Sequence, residues 1–226
     1  MPASEDLRGL PRRLLPIEHS RVNGWEATYH YEPAGVVSGD YCDHIATEAG
    51  ALYFMIGDVS GKGVSASMLM AHLQATLRTL ILMGLPLDQL MERASHLFCE
   101  SALPAQYATL VCGKATRDGE VEICNAGHPP PLLIRQTRVD RIDATGLPVG
   151  MFRSERFEVS RLSLLSGETI LLYTDGVLEA RDGSGDEYGG DRLSAIATAS
   201  RAFGPQALVA ACVKDLAAFQ MGHEKP

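Results

Sequence analysis

The sequence predicts an α+β fold built from mainly antiparallel sheets, on three observations. Apolar residues alternate in short runs up to residue 58, recur at helical spacing over 64–102, and then return to short strand-like runs before two final helical stretches. Two turn signals, Ala49-Gly50 and Arg117-Asp118-Gly119, join neighbouring strands directly. Strands and helices come in blocks, unlike the strict βαβ alternation of a doubly wound sheet.

The elements follow in order. Residues 1–20 are polar with a short basic cluster and read as an irregular or partly helical lead-in. The stretch WEATYHYEPA (25–34) alternates as a strand. YCDHIATE (41–48) and ALYFMIGD (51–58) form a hairpin about the first turn. From Val64 to Met83 the residues Met68, Leu69, Ala71, Leu73, Leu77, Leu80 and Ile81 predict a helix, with the stripe Met68, Met70 and Leu73 in the core. Residues 86–102 repeat the pattern after Pro86. YATLVCGKAT and VEICNAG bracket the second hairpin turn; PPLLIRQ, RVDRID, RFEVSRLSL and ETILLYTD add strands; helices are expected at 190–200 and 205–219. With no repeat and no linker, residues 21–226 read as one domain.

Composition narrows the class of partner. The chain has 226 residues, 46% of them hydrophobic, enough for one sizeable core. Its net charge of −8, from 28 acids against 20 Lys and Arg, disfavours a nucleic-acid partner, whose phosphates call for the opposite balance. Five scattered cysteines without CxxC spacing suggest neither a zinc site nor a disulfide framework, which suits a reducing cytosol. MPASEDLRGLPRRLLP has no apolar centre of the signal-peptide kind, and charges interrupt every long apolar run. A cytoplasmic protein with no membrane partner is expected.

Three strands deliver carboxylates. Asp58 follows the apolar run Leu52–Ile56, Asp175 follows TILLYT, and Asp40 opens the strand that should pair with the one ending at Asp58. Asp-Gly after a strand is an ordinary turn signal when it stands alone. Three acids at the edges of one core repel each other unless protonated or bound to a cation, and hard oxygen ligands favour Mg²⁺ or Mn²⁺. The loop IGDVSGKGVSAS (56–67) also has the strand, glycine, lysine, helix layout of a P-loop. That motif needs G-x-x-x-x-G-K-[ST]; position 56 is Ile and position 63 is Gly, so it fails at both ends. The loop is expected to grip cations through Asp58, with phosphate reaching the site through the metals.

SGDYCD (38–43), GDVSGKGVSASMLMA (57–71), NAGHPPPLL (125–133), TGLPVG (145–150) and LYTDGVLEARD (172–182), with a looser EYGGDRL (187–193), together resemble the SpoIIE-like branch of the metal-dependent PPM protein serine/threonine phosphatases. The resemblance spans roughly residues 13 to 220, with the motifs in the family's order. It implies an αββα sandwich of two stacked, mainly antiparallel sheets flanked by helices, and two Mn²⁺ or Mg²⁺ ions between the sheets. Asp58 resembles the bridging ligand and acts in catalysis through metal-bound water. Asp40 and the backbone carbonyl of Val59 resemble its partners at one metal, and Asp175 a ligand of the other. The implied substrate is phosphoserine or phosphothreonine on a partner protein, an anti-sigma-factor antagonist in a partner-switching pathway.

Lesser candidates carry two readings each. Lys62 either approaches the substrate phosphate or is a solvated charge. His128 either assists proton transfer to the leaving oxygen or stabilises the turn before the proline run; Asn125 reads as structural. Glu179 and Arg181 either pair with each other or support the site. One departure stands out: the family's closing strand, introduced by Asp-Asp-x-Thr and supplying a last metal ligand, is not found before Pro226. The domain is therefore expected to be C-terminally incomplete, with an exposed sheet edge through which a homodimer can form. An active phosphatase is one reading; a non-catalytic or weakly active phosphatase-like binding module is the alternative.

Overall fold

The computed structural model describes residues 15–33 and 38–222. Most of the 1–20 lead-in, Ala34 of the expected 25–34 strand, and the last four residues lie outside these.

The first element is a hairpin of β1 (His19–Val22) and β2 (Trp25–Thr28). It corrects two expectations: β1 begins inside the lead-in, and the expected strand over 25–34 stops at Thr28. The cause is Asn23-Gly24, whose φ values of 51° and 90° make the two-residue turn that reverses the chain. Trp25 then donates its indole N–H to the Thr116 carbonyl at 2.8 Å, tying this hairpin to a distant turn.

Five antiparallel strands make the main sheet. They are β3 (Asp40–Ala46), β4 (Leu52–Val59), β5 (Ala108–Ala115), β6 (Glu120–Ala126) and β9 (Ser160–Ser163), in spatial order β3-β4-β5-β6-β9. A second sheet has the order β10-β7-β8, from β7 (Leu132–Ile134), β8 (Val139–Arg141) and β10 (Thr169–Leu171), also antiparallel. The helices are α1 (Val64–Leu82), α2 (Leu87–Ser101), the single turn α3 (Asp175–Leu178), α4 (Gly189–Ala199) and α5 (Pro205–Gln220).

Strand periodicity sorts the side chains into three packed layers. Tyr53, Met55 and Val59 of β4 face one way, with Leu110, Cys112, Cys124 and Ala126, and meet Leu73, Leu77, Leu90 and Phe98 of α1 and α2. Leu52, Phe54 and Ile56 face the other way and pack with Val111, Ile123 and Leu133 between the two sheets. Leu132 and Ile134, on the far face of the second sheet, meet Leu193, Leu208 and Phe219 of α4 and α5. The result is helices, sheet, sheet, helices: the expected αββα sandwich.

Charged pairs lock the helices on. The Arg78 guanidinium donates two hydrogen bonds, at 2.7 and 2.8 Å, to the buried Asp43 carboxylate, joining α1 to β3. On the other side Arg192 donates to Asp215 at 2.7 and 2.9 Å, and the Tyr188 hydroxyl adds a third bond at 2.7 Å. One expectation needs correction here, and one of two open readings falls away. Met68 is 69% exposed, because its face of α1 turns away from the sheet that Met70 and Leu73 cover. Arg181 pairs with Glu187 at 2.6 Å instead of Glu179, across an isolated bridge between the two backbones. No helix among the described residues is long and apolar enough to cross a membrane.

Candidate active site

The site lies where the two sheets end together. Asp40 is the first residue of β3, and the antiparallel register sets it directly opposite Asp58. Alternation along β4 puts Asp58 on the face of Phe54 and Ile56, towards the second sheet. On the next strand, Thr109 is the direct partner of Asp58. From the second sheet, the chain leaves β10 at Leu171 and passes through Tyr173 and Thr174 to Asp175 at the start of α3. Asp58, Thr109, His128 and Asp175 line one cavity of about 380 Å³, together with Ser60, Tyr107, Gly127 and Pro129.

The carboxylates repel each other. Asp58 is pushed up to about 6, chiefly by burial and then by the charges of Asp40 and Asp175, against the opposing Val59 N–H. Asp40 is raised as well, by burial and then by Asp175, while hydrogen bonds from Ser38 and Thr174 hold it back. The Ser38 hydroxyl donates to Asp40 Oδ2 at 2.6 Å. Such a group of acids is short of positive charge, and a divalent cation supplies it.

Backbone packing bears on the same point. Gly39 sits so close that a Cβ there would lie 2.7 Å from the Val59 carbonyl oxygen and 3.0 Å from Asp58 Oδ1. The missing side chain leaves room beside two oxygen donors. Among the described residues no three His, Cys, Asp or Glu side chains form a metal-holding group. The donors come instead as a facing pair, Asp40 and Asp58, with a neighbouring carbonyl, and Asp175 from the other sheet. That all-oxygen set fits Mg²⁺ or Mn²⁺, neither of which needs three side chains on one ion because both retain water readily.

His128 is 3% exposed and has both ring nitrogens engaged. Its Nε2–H donates to the Tyr173 carbonyl at 3.1 Å, so Nδ1 accepts from the Thr109 hydroxyl at 2.9 Å. Burial lowers it to about 4, so the ring is neutral near pH 7. It bridges the strand beside Asp58 to the strand end before Asp175. Asn125, fully buried, accepts the His128 N–H at 2.9 Å and donates to the His128 carbonyl at 3.1 Å, which fixes the turn. Lys62 is exposed in the loop after β4 and does not line the cavity.

Sequence reasoning missed Gly39, Ser38 and Thr109. Gly39 and Ser38 stand inside SGD, where a small residue before a ligand-type acid is a usable sign of close backbone approach. Thr109 carried a weaker signal: the β5 register on β4 sets it opposite Asp58, and register across a helical insertion cannot be counted from spacing.

The two stacked sheets with helices outside are the fold of solved PP2C phosphatase domains. The chain belongs to the SpoIIE family (Stage II sporulation protein E), whose model matches residues 48–225. It is 28% identical to the protein IcfG of Synechocystis over 222 residues, covering 85% of this chain and 35% of that one. It is 29% identical to the phosphoserine phosphatase RsbP of Bacillus subtilis over 170 residues, covering 73% of this chain and 41% of RsbP. The chain thus spans well under half the length of these curated relatives. The PP2C domain of SiaA from Pseudomonas aeruginosa shares the fold, with a TM-score of 0.81 at 18% identity, over 98% of this chain and 89% of that one.

Proposed function

We propose that this chain is a metal-dependent phosphatase acting on phosphoserine or phosphothreonine of a partner protein. The observation that carries the reading is the direct pairing of Asp40 with Asp58, together with the meeting of Asp58 and Asp175 at one cavity. In this reading Asp58, Asp40, the Val59 carbonyl and Asp175 are the oxygen donors that would hold the Mn²⁺ or Mg²⁺ ions. Bound ions supply a nucleophilic water of lowered pKa and positive charge for the phosphoryl oxygens.

The chain's own residues do the rest. Ser38 and Thr174 orient the Asp40 carboxylate through hydrogen bonds to the oxygens. The Gly39 backbone leaves the space that the donors share. His128 acts as a positioning residue: with one nitrogen donating and the other accepting inside the protein, it holds the two strand ends at a fixed separation. Lys62, free in the loop, is the cation closest in sequence to Asp58 and suits electrostatic attraction of an incoming phosphate better than a fixed contact.

A cytoplasmic anti-sigma-factor antagonist is the proposed substrate class. It is supported by the SpoIIE family match and by the name phosphoserine phosphatase carried by RsbP. Hydrolysis of p-nitrophenyl phosphate with and without Mn²⁺ tests the activity. Turnover that needs Mn²⁺ and is lost in Asp58→Ala is expected; activity near the parent's in that variant at saturating Mn²⁺ would refute the ligand assignment. A folded parent that gives no turnover at any Mn²⁺ concentration would leave the binding-module reading.

A further inference from the structure

Tyr107 lines the cavity and is 36% exposed. It is bound to the loop after β4 by two hydrogen bonds, Ser60 N–H to the Tyr107 carbonyl at 2.8 Å and Tyr107 N–H to Ser60 Oγ at 2.9 Å. The segment just before it packs along α1: Gln106 donates to Ser65 Oγ at 3.2 Å, and Ser101 Oγ meets His72 Nε2 at 3.5 Å. Ser65 and His72 bracket Met68 on one helical face, so Met68 looks towards this same segment. Met68 is 69% exposed, Leu103 66% and Val64 59%. None of these belongs to the buried clusters, and they are tied through this segment to Tyr107 on the cavity, the kind of grouped exposed apolar side chains that suits an interaction surface.

We propose that Val64, Met68, Leu103 and Tyr107 form a docking margin for the polypeptide that carries the phosphoserine, and that it selects apolar residues beside the phosphorylated position. The inference rests on the phosphatase reading. Its occupant follows from geometry: phosphoserine is a short side chain, so a phosphate inside the cavity draws its own backbone onto the rim. Residues flanking the phosphoserine then lie against the margin. Apolar neighbours bury surface there, whereas polar ones give up hydration without a partner.

Two synthetic phosphoserine peptides of equal length and charge test this. One has Leu and Ile beside the phosphoserine, the other Ser and Asn. With Mn²⁺ the parent is expected to favour the apolar peptide by about tenfold in kcat/KM, the scale of a small apolar contact at a substrate site. That ratio should fall towards one in the double variant Met68→Ser, Leu103→Ser and persist in Met68→Leu. Both changed residues are exposed, and a matching thermal melt verifies the fold. A parent that hydrolyses p-nitrophenyl phosphate but treats both peptides alike overturns the docking margin and leaves the phosphatase intact. A parent inactive on all three substrates removes the phosphatase reading, and the margin with it. A parent dimer that Met68→Ser dissociates, with no peptide preference, would assign the surface to a second copy instead.

Discussion

Replacing Asp58 with Asn in chelator should stabilise the protein while abolishing its activity. The native state holds a proton on Asp58 more firmly than the unfolded chain does, because the carboxyl is raised from 3.8 to about 6 by burial and by Asp40 and Asp175. A raised folded-state value for an acid means that stability is lost as pH rises through the interval between the two values, here from about 4 to about 6. At full value such a shift amounts to about 3 kcal/mol, at about 1.4 kcal/mol per unit. Asp58 is only half-buried, so solvent screening reduces that to about 1 kcal/mol. Asn keeps the acceptor that faces the Val59 N–H and removes the charge. In EDTA at about pH 8 the variant should therefore melt about 2–4 °C above the parent, and the gap should close towards about pH 5 as the parent takes up its proton. Adding Mn²⁺ should reverse the order, because an ion that binds only the native parent stabilises it by mass action. Differential scanning fluorimetry over that pH series, with EDTA and with Mn²⁺, is sufficient. A variant less stable than the parent in EDTA at about pH 8, or a gap equal at both pH values, would refute the reasoning about mutual repulsion.

Three further changes probe the rest of the site. Gly39→Ala should raise the Mn²⁺ needed for half-maximal activity by about tenfold or more, since its Cβ would press on the Val59 carbonyl and Asp58; an unchanged metal titration would count against the shared space. His128→Ala should cost about 2–4 kcal/mol in urea unfolding, because it strips the Thr109 hydroxyl and the Tyr173 carbonyl of their buried partner; a loss below about 0.5 kcal/mol would mean that water replaces the ring. Lys62→Ala should leave metal affinity intact and neither create nor remove nucleotide binding, as the failed P-loop count at Ile56 and Gly63 requires; tight ATP binding in calorimetry, lost in this variant, would overturn it.

The fold class was legible because period and turn chemistry agreed. The β3–β4 hairpin, helices α1 and α2 and the β5–β6 hairpin lie within two residues of where apolar spacing set them. The first hairpin was legible in principle and overlooked: Asn23-Gly24 is the strongest short turn signal in the chain, but its strands have four residues each, too few for alternation to register. The exposure of Met68 was legible and overlooked: residues two apart on a helix lie about 200° apart, so Met68 cannot share a face with Met70, which is buried beside Leu73 and Leu77. Thr109 and the second nitrogen of His128 were hidden, since both depend on which strands become neighbours after the two-helix insertion.

The carboxylate pair was the most readable part of the site, and register explains why. Asp40 and Asp58 belong to one hairpin, so counting outward from its turn sets them opposite each other without any knowledge of the remaining fold. The same count fixes their direction. A slip of one residue in β4 would turn Asp58 towards the helices, into the face of Tyr53 and Met55, and carry those two side chains into the space between the sheets. The apolar pattern of β4 and the orientation of its terminal acid are therefore one constraint, and burying Leu52, Phe54 and Ile56 between the sheets aims Asp58 at the cavity. Asp175 has no such guarantee. It reaches the site only because a second sheet, threaded through β7 and β10, ends level with the first, and no local spacing encodes that distance. A carboxylate site built this way needs both sheets packed before all its donors meet, so cation affinity should be lost together with the inter-sheet core when the protein unfolds, and should not survive in a fragment containing the β3–β4 hairpin alone.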